Sequence, residues 1–201
     1  MGVIKSFTAP GGRPTYLTFD GKYLWYTNSS PMRIDQIDLQ GNVIKSIAII
    51  GKALTGLAFD GKYLWYVKGL PWIIYQTDLQ GNVIKSFSSP GAGAEDLAFD
   101  GKYLWHTDNS VDLIYQLDLK GNVIKSVTAP GITPYGLAFD GKYLLHTDDS
   151  ADLIYQLDLK GNVIKSIASP GPGPRGLVFD GKYLWYIDWD EDKIYQLDRS
   201  G

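Results

Sequence analysis

The chain contains no cysteine, two histidines and two methionines among its 201 residues. Disulfides, thiol chemistry and Cys/His metal clusters are therefore excluded by composition. No stretch approaches the ~18 consecutive apolar residues of a membrane helix. The opening segment MGVIKSFTAP has too few apolar residues for a signal peptide, and it already belongs to a repeat. Nineteen basic and 22 acidic residues are interspersed, for a net charge of −3, with no basic stripe. Neither nucleic acid nor a membrane is thus an expected partner. The composition describes a soluble chain and selects no compartment.

What is abundant points to β structure. Fourteen tyrosines, six tryptophans and seven phenylalanines suit pleated, half-buried surfaces. The segment GNVIKS recurs at 41–46, 81–86, 121–126 and 161–166, and a shortened GVIKS stands at 2–6. FDGKYL recurs at 19–24, 59–64, 99–104, 139–144 and 179–184, so the period is 40 without insertion or deletion. Units 81–120 and 121–160 differ at eleven of forty positions, as recent amplification or deliberate regularisation of one repeat would leave them.

No helical period runs through a unit. The fourth unit divides into strand a around 135–140, b around 142–147, c around 153–158 and d around 162–168. Asp140-Gly141 is expected as a two-residue hairpin turn between a and b. Gly161-Asn162 turns c into d. Four antiparallel strands in about 40 residues make a propeller blade. The expected fold is all-β: one closed five-bladed propeller with blades near 9–48, 49–88, 89–128, 129–168 and 169–201 plus 2–8. The chain opens on a d strand and ends on an a-b-c set, so the first strand should complete the last blade. Lys5, Lys45, Lys85, Lys125 and Lys165 then lie on outer edge strands, where lysine discourages sheet-to-sheet association. A monomer is expected.

The pattern P-x-G-L-A-x-D-G-x-x-L-W-x-T-D…I-x-Q-L-D-x-x-G-N resembles the NHL and virginiamycin B lyase-like propellers over essentially the whole chain. The resemblance implies the propeller fold, in a group that includes binding scaffolds, lyases and lactone hydrolases. The lyase-like enzymes carry a Trp-x-Thr-Glu element and use a histidine with glutamates and magnesium. The corresponding residues are Trp105, His106, Thr107 and Asp108, with aspartate in place of glutamate. Bacterial glutamine cyclotransferases are similar in being five-bladed, but their Phe-Thr-Gln-Gly-Leu and Phe-Gly-Glu-Gly segments have no counterpart.

Variation among the copies marks where function can reside. The a–b and c–d turns are nearly constant, whereas the d–a connections and b–c loops differ, and these share one end of the blade. Loops carried on a rigid scaffold are the usual place for binding. At the start of strand a the copies offer Thr15-Tyr16, Thr55-Gly56, Glu95-Asp96, Tyr135-Gly136 and Arg175-Gly176. Arg175 could pair an acidic group while Tyr16 or Tyr135 stacks, with Glu95 and Asp96 as further polar partners. In the b–c loops, Trp72 and Trp189 are candidate stacking platforms or lids. Asp188, Asp190 and Asp192 have alternate spacing like a calcium loop, but the turn glycine and the distal glutamate are missing.

His106 and His146 occupy the position of Tyr26, Tyr66 and Tyr186. Equivalent positions on adjacent blades lie roughly 10–12 Å apart, too far to share a metal, so both read as tyrosine replacements between blades. No nucleophile–base pair or phosphate loop is present, and no cofactor is expected. The first reading is a non-catalytic scaffold or binding module taking a small molecule, glycan or protein on the variable face. The alternative is a metal-dependent lyase or hydrolase using Glu95, Asp96 and His106 or His146, and a third is a multivalent lectin.

Overall fold

A computed structural model describes residues 1–198, which form five four-stranded antiparallel sheets set in a ring, a five-bladed β-propeller. The first blade holds β2 (Pro14–Phe19), β3 (Leu24–Ser29), β4 (Met32–Ile37) and β5 (Val43–Ala48). The second holds β6 (Lys52–Phe59), β7 (Leu64–Gly69), β8 (Ile73–Thr77) and β9 (Val83–Ser88). The third holds β10 (Ala94–Phe99), β11 (Leu104–Asp108), β12 (Leu113–Leu117) and β13 (Val123–Thr128). The fourth holds β14 (Pro134–Phe139), β15 (Leu144–Asp148), β16 (Leu153–Leu157) and β17 (Val163–Ala168). In the fifth, β18 (Pro174–Phe179), β19 (Leu184–Asp188) and β20 (Lys193–Leu197) are completed by β1 (Val3–Thr8). No helix long and apolar enough to cross a membrane occurs among the described residues.

The core lies between blades. Leu17, Leu24, Tyr26 and Ile37 of the first blade pack with Trp185, Ile187 and Ile194 of the fifth in one buried cluster. Trp25, Trp65, Trp105 and Trp185 are wholly buried, and each indole Nε1 donates to the aspartate of its own a–b turn at 2.7 Å. Gln36, Gln76 and Gln116 donate to the same carboxylates at 3.2–3.5 Å. A buried indole would be costly without a partner for its N–H, and the Asp-Gly-Lys-Tyr turn supplies one. The near-constancy of these residues is thus a packing requirement.

One local expectation needs correction and another is extended. The a–b turn is centred one residue later than its Asp-Gly dipeptide suggests. Asp140 N–H donates to the Tyr143 carbonyl at 3.0 Å, so Gly141 and Lys142 are the central pair. Only Gly141 has positive φ, at +94°, the arrangement that calls for glycine in the first central position. Asp140 flanks the turn because its carboxylate accepts from Lys142 N and Tyr143 N, at 2.9 and 2.6 Å. The d-strand lysines, in turn, do more than blunt an edge. Lys5, Lys45, Lys85 and Lys125 lie over Trp185, Trp25, Trp65 and Trp105 of their own blades. Each ammonium then donates across the gap, to the carbonyls of Leu39, Leu79, Leu119 and Leu159 in the next blade. They stitch neighbouring blades together at the outer rim.

Because strands alternate in direction, the a–b and c–d turns form one face of the disc and the d–a and b–c connections the other. The first face is nearly fivefold uniform. The second carries the differences between copies.

Candidate functional site

Strands a line the central channel, and each is irregular where it enters from the variable face. In the third blade Ala94 pairs with Asp108 and Leu97 with His106, so Glu95 and Asp96 together oppose Thr107 alone. The same bulge recurs in the other four blades. A bulge re-aims the side chains at its position, and here it turns two consecutive residues towards the channel.

The second bulge residue of each blade forms the neck of the channel: Tyr16, Gly56, Asp96, Gly136 and Gly176. The glycines are needed for close approach. A Cβ on Gly176 would stand 2.7 Å from Tyr16 Cα and 2.9 Å from Leu17 N, and one on Gly136 would meet the Arg175 carbonyl oxygen. The two remaining residues fill the opening and are fully buried, Asp96 at 0% and Tyr16 at 1% exposure. Asp96 accepts three backbone N–H groups, from Leu57 at 3.1 Å, Leu97 at 2.8 Å and Leu137 at 2.9 Å.

Above the neck stand the first bulge residues, Thr15, Thr55, Glu95, Tyr135 and Arg175. Tyr16 O–H donates to Glu95 Oε2, while Asn109 Nδ2 donates to Glu95 Oε1 at 2.7 Å. Burial pushes the Glu95 carboxyl up to about 7, against the pull of the Tyr16 hydrogen bond and of Arg175. Burial likewise pushes the Tyr16 hydroxyl well above its ordinary value. The Arg175 guanidinium lies 3.7 Å from the centroid of the Tyr135 ring and 5.3 Å from that of Trp189. Its Nε is buried without a hydrogen-bond partner. The ion pairs among the described residues, Arg33–Asp35 and Lys193–Glu191, do not involve it.

The structure thus brings Tyr16, Glu95, Tyr135, Arg175 and Trp189 together at one channel mouth. Asp96 lies beneath them, covered and engaged. Trp72 does not join the group: its ring lies over Gly69, where a Cβ would be 2.8 Å away, and packs against the cluster containing Trp65, Val67 and Ala94. It is a lid on its own blade. Asp188 is buried and accepts from Glu191 N at 2.9 Å, while Asp192 accepts from Arg13 N at 2.6 Å. Asp190 lines a surface depression of about 200 Å³ with Arg13, Trp189 and Asp192. Asp188 thus serves its own turn and Asp192 ties that loop to the d–a connection of the first blade, and no group of three His, Asp or Glu side chains that could hold a metal ion occurs among the described residues.

His106 and His146 lie between blades, wholly buried, and stack on Tyr115 and Tyr155 at 6.3 Å. Burial pulls both imidazoles down to about 4, so they are neutral at pH 7. His106 Nδ1 lies 3.1 Å from the Asp96 carbonyl and Nε2 3.0 Å from Ser89 Oγ.

Asn109 was not singled out by reasoning from sequence. Its signal was available: equivalent positions read Ser29, Gly69, Asn109, Asp149 and Trp189, different in every copy. Only the hairpin geometry shows that this ring of variation faces the one at Glu95.

No protein-family model and no curated protein matches the chain. Solved structures do. The chain is similar to glutaminyl cyclase from Myxococcus xanthus, with TM-score 0.82 and 12% identity over 97% of this chain and 94% of that one. It is similar to a catalytically inactive virginiamycin B lyase from Staphylococcus aureus, crystallised with quinupristin, with TM-score 0.60 and 18% identity over 96% and 69% of the two chains. A chain of a nidogen/laminin complex matches with TM-score 0.69 and 20% identity over 94% and 77%. At these identities the likeness shows the fold, the β-propeller that the repeat's resemblance implied. Enzymes and a binding assembly both stand among these neighbours.

Proposed function

We propose that the protein is a non-catalytic binding propeller whose variable face takes a small molecule bearing an acidic group, seated at Arg175. One observation carries this reading. A guanidinium held against Tyr135 and Trp189 has no carboxylate within ion-pairing distance among the described residues, and its Nε is buried and unpartnered. The guanidinium is partly exposed, and nearby Tyr16, Tyr135 and Glu95 favour its charge, yet no carboxylate among the described residues pairs with it directly, so its donors are open to a ligand anion. Arginine's planar fork suits carboxylate or phosphate. Glu95, Tyr16 and Asn109 give the same mouth a polar wall, and Trp189 an aromatic one.

Calorimetric titration of a panel of small carboxylates and phosphates tests this. A binder should saturate at one site per chain and weaken roughly 10- to 100-fold in Arg175→Met, the usual worth of a hydrogen bond to a charged group. Equal affinity for the variant, or no saturable binder in the panel, would overturn it.

A second reading is favoured by Glu95, whose carboxyl near 7 is poised for proton transfer. It keeps the lyase or hydrolase alternative on Glu95 as acid–base. Asp96, His106 and His146 are covered and cannot share that work in this geometry. A lectin would need equivalent aromatic platforms, and Trp189 has no such counterpart at the mouth.

A further inference from the structure

We infer that the neck of the channel is a built carboxylate-binding site for which the chain supplies its own ligand, the side chain of Asp96. Each a–b hairpin closes on the hydrogen bond from its turn aspartate, as in Asp100 N–H to the Tyr103 carbonyl at 3.1 Å. Alternation of an antiparallel ladder then leaves the N–H groups of Phe99 and Leu97 facing away from β11, towards the axis. The repeat sets the amides of Leu17, Leu57, Leu137 and Leu177 in the same way. Five backbone donors therefore point at one small volume on the axis, and unpaired buried amides are costly. The Asp96 carboxylate collects three of them, from three consecutive blades, at 2.8–3.1 Å.

Those three partners are all donors, and no acceptor for a carboxyl proton is among the hydrogen bonds of this side chain. The arrangement suits an ionised carboxylate. Burial, the stronger influence, holds the group well above the ordinary carboxylate range, and the three N–H groups pull against it. Three of the five equivalent positions are glycine, so the backbone of the neck does not itself need a side chain there. Below the neck lies a cavity of about 110 Å³ between the leucine and phenylalanine rows. The space vacated by removing Asp96 is that of one acetate-sized anion.

The ligand class follows: a monovalent carboxylate no larger than acetate. The Asp96→Gly variant should melt lower than the parent and recover in about 0.1 M formate, through mass action at the emptied neck. Pivalate at equal ionic strength, being too bulky, should give no such recovery. The parent, and Asp96→Asn, whose side chain still fills the neck, should respond alike to formate and pivalate. Equal responses of Asp96→Gly to the two anions, or an unchanged melting temperature, would overturn the inference. If Asp96→Gly does not fold, Asp96→Ser is read in the same way. Recovery of folded protein only in formate supports the site, and failure of both variants to fold in formate counts against it.

Discussion

The Tyr16 hydroxyl, on the first blade, donates to the Glu95 carboxylate on the third, so one hydrogen bond spans the channel mouth. Tyr16 enters from the neck position, where three other copies have glycine, and it therefore lies across the axis beneath its partner. The bond holds Glu95 in place while Asn109 fixes its other oxygen at 2.7 Å. A side chain so covered titrates late, which makes the pair visible in solution.

The Glu95 carboxyl moves from an ordinary 4.5 to about 7 on folding. Between those values the native state holds a proton that the unfolded chain has released, so this group makes stability fall as pH rises. The full shift corresponds to roughly 3 kcal/mol. Stability of the parent minus that of Glu95→Gln, from urea titrations at steps between pH 4.5 and 7.5, should decline over that window and flatten above it. A difference independent of pH would contradict the placement of Glu95.

The two histidines act with the opposite sign. Each imidazole falls from 6.5 to about 4 because burial disfavours its charged form. The unfolded chain therefore takes up protons first as pH drops below 6.5, and stability is lost progressively towards pH 4. Each contributes at most roughly 3 kcal/mol to that loss. His106→Tyr and His146→Tyr restore the residue of three other copies, and Tyr186 shows the replacement reaching the Gly171 carbonyl at 3.3 Å. The double variant should retain stability at pH 5 relative to pH 7 better than the parent in thermal melts. An equal acid loss would mean that the histidines are not buried as described.

Much of this was legible in the repeat. A 40-residue period, the turn glycines and the offset ends lead to five blades and to a first strand that closes the last. The difference between the faces follows from counting strand directions. The site was legible only as a ring of unlike residues. Glu95 and Arg175 stood out, yet nothing local shows that Tyr16 crosses the axis to Glu95, or that Trp72 folds onto Gly69 while Trp189 faces Arg175. The relations of Tyr16 to Glu95 and of Trp189 to Arg175 run across 79 and 14 residues of chain, and that of Trp72 to Gly69 depends on the fold of a single loop. Asp96 misled for a related reason: an aspartate beside a channel looks like a ligand to something, and the amides that claim it come from three separate blades.

Arg175 should matter more to the site than to the fold. Replacing it by methionine keeps a long side chain between Tyr135 and Trp189 and removes a charge that has no ion pair among the described residues. The variant should stay within about 1 kcal/mol of the parent, because the desolvation it relieves is offset by the loss of the favourable contacts with Tyr16, Tyr135 and Glu95. It also removes a charge that pulls the Glu95 carboxyl down. The pH window of the Glu95 effect should therefore move upward in Arg175→Met, read from the same urea titrations. A destabilisation above about 2 kcal/mol would place Arg175 among the packing residues.

The seam of the ring provides the last test. β1 pairs with β20 as Val3 with Leu197 and Lys5 with Gln196, repeating the register and bulge by which β17 pairs with β16. Gly2 N donates to Asp198 Oδ1 at 2.9 Å, as Asn162 N donates to Asp158 Oδ1 at 2.9 Å within the fourth blade. β1 also brings Phe7 and Lys5 onto the buried Trp185. Removing residues 1–8 strips that cover and bares the edge of β20, a strand whose side chains were selected for the inside of a sheet. The truncated chain should associate with rising concentration in light-scattering chromatography and lose its cooperative melt. A peptide of residues 2–8 added in excess should restore the parent's elution, because it supplies the same ladder without the covalent link. A monomeric truncation with the parent's melting temperature would show that the ring closes without this strand.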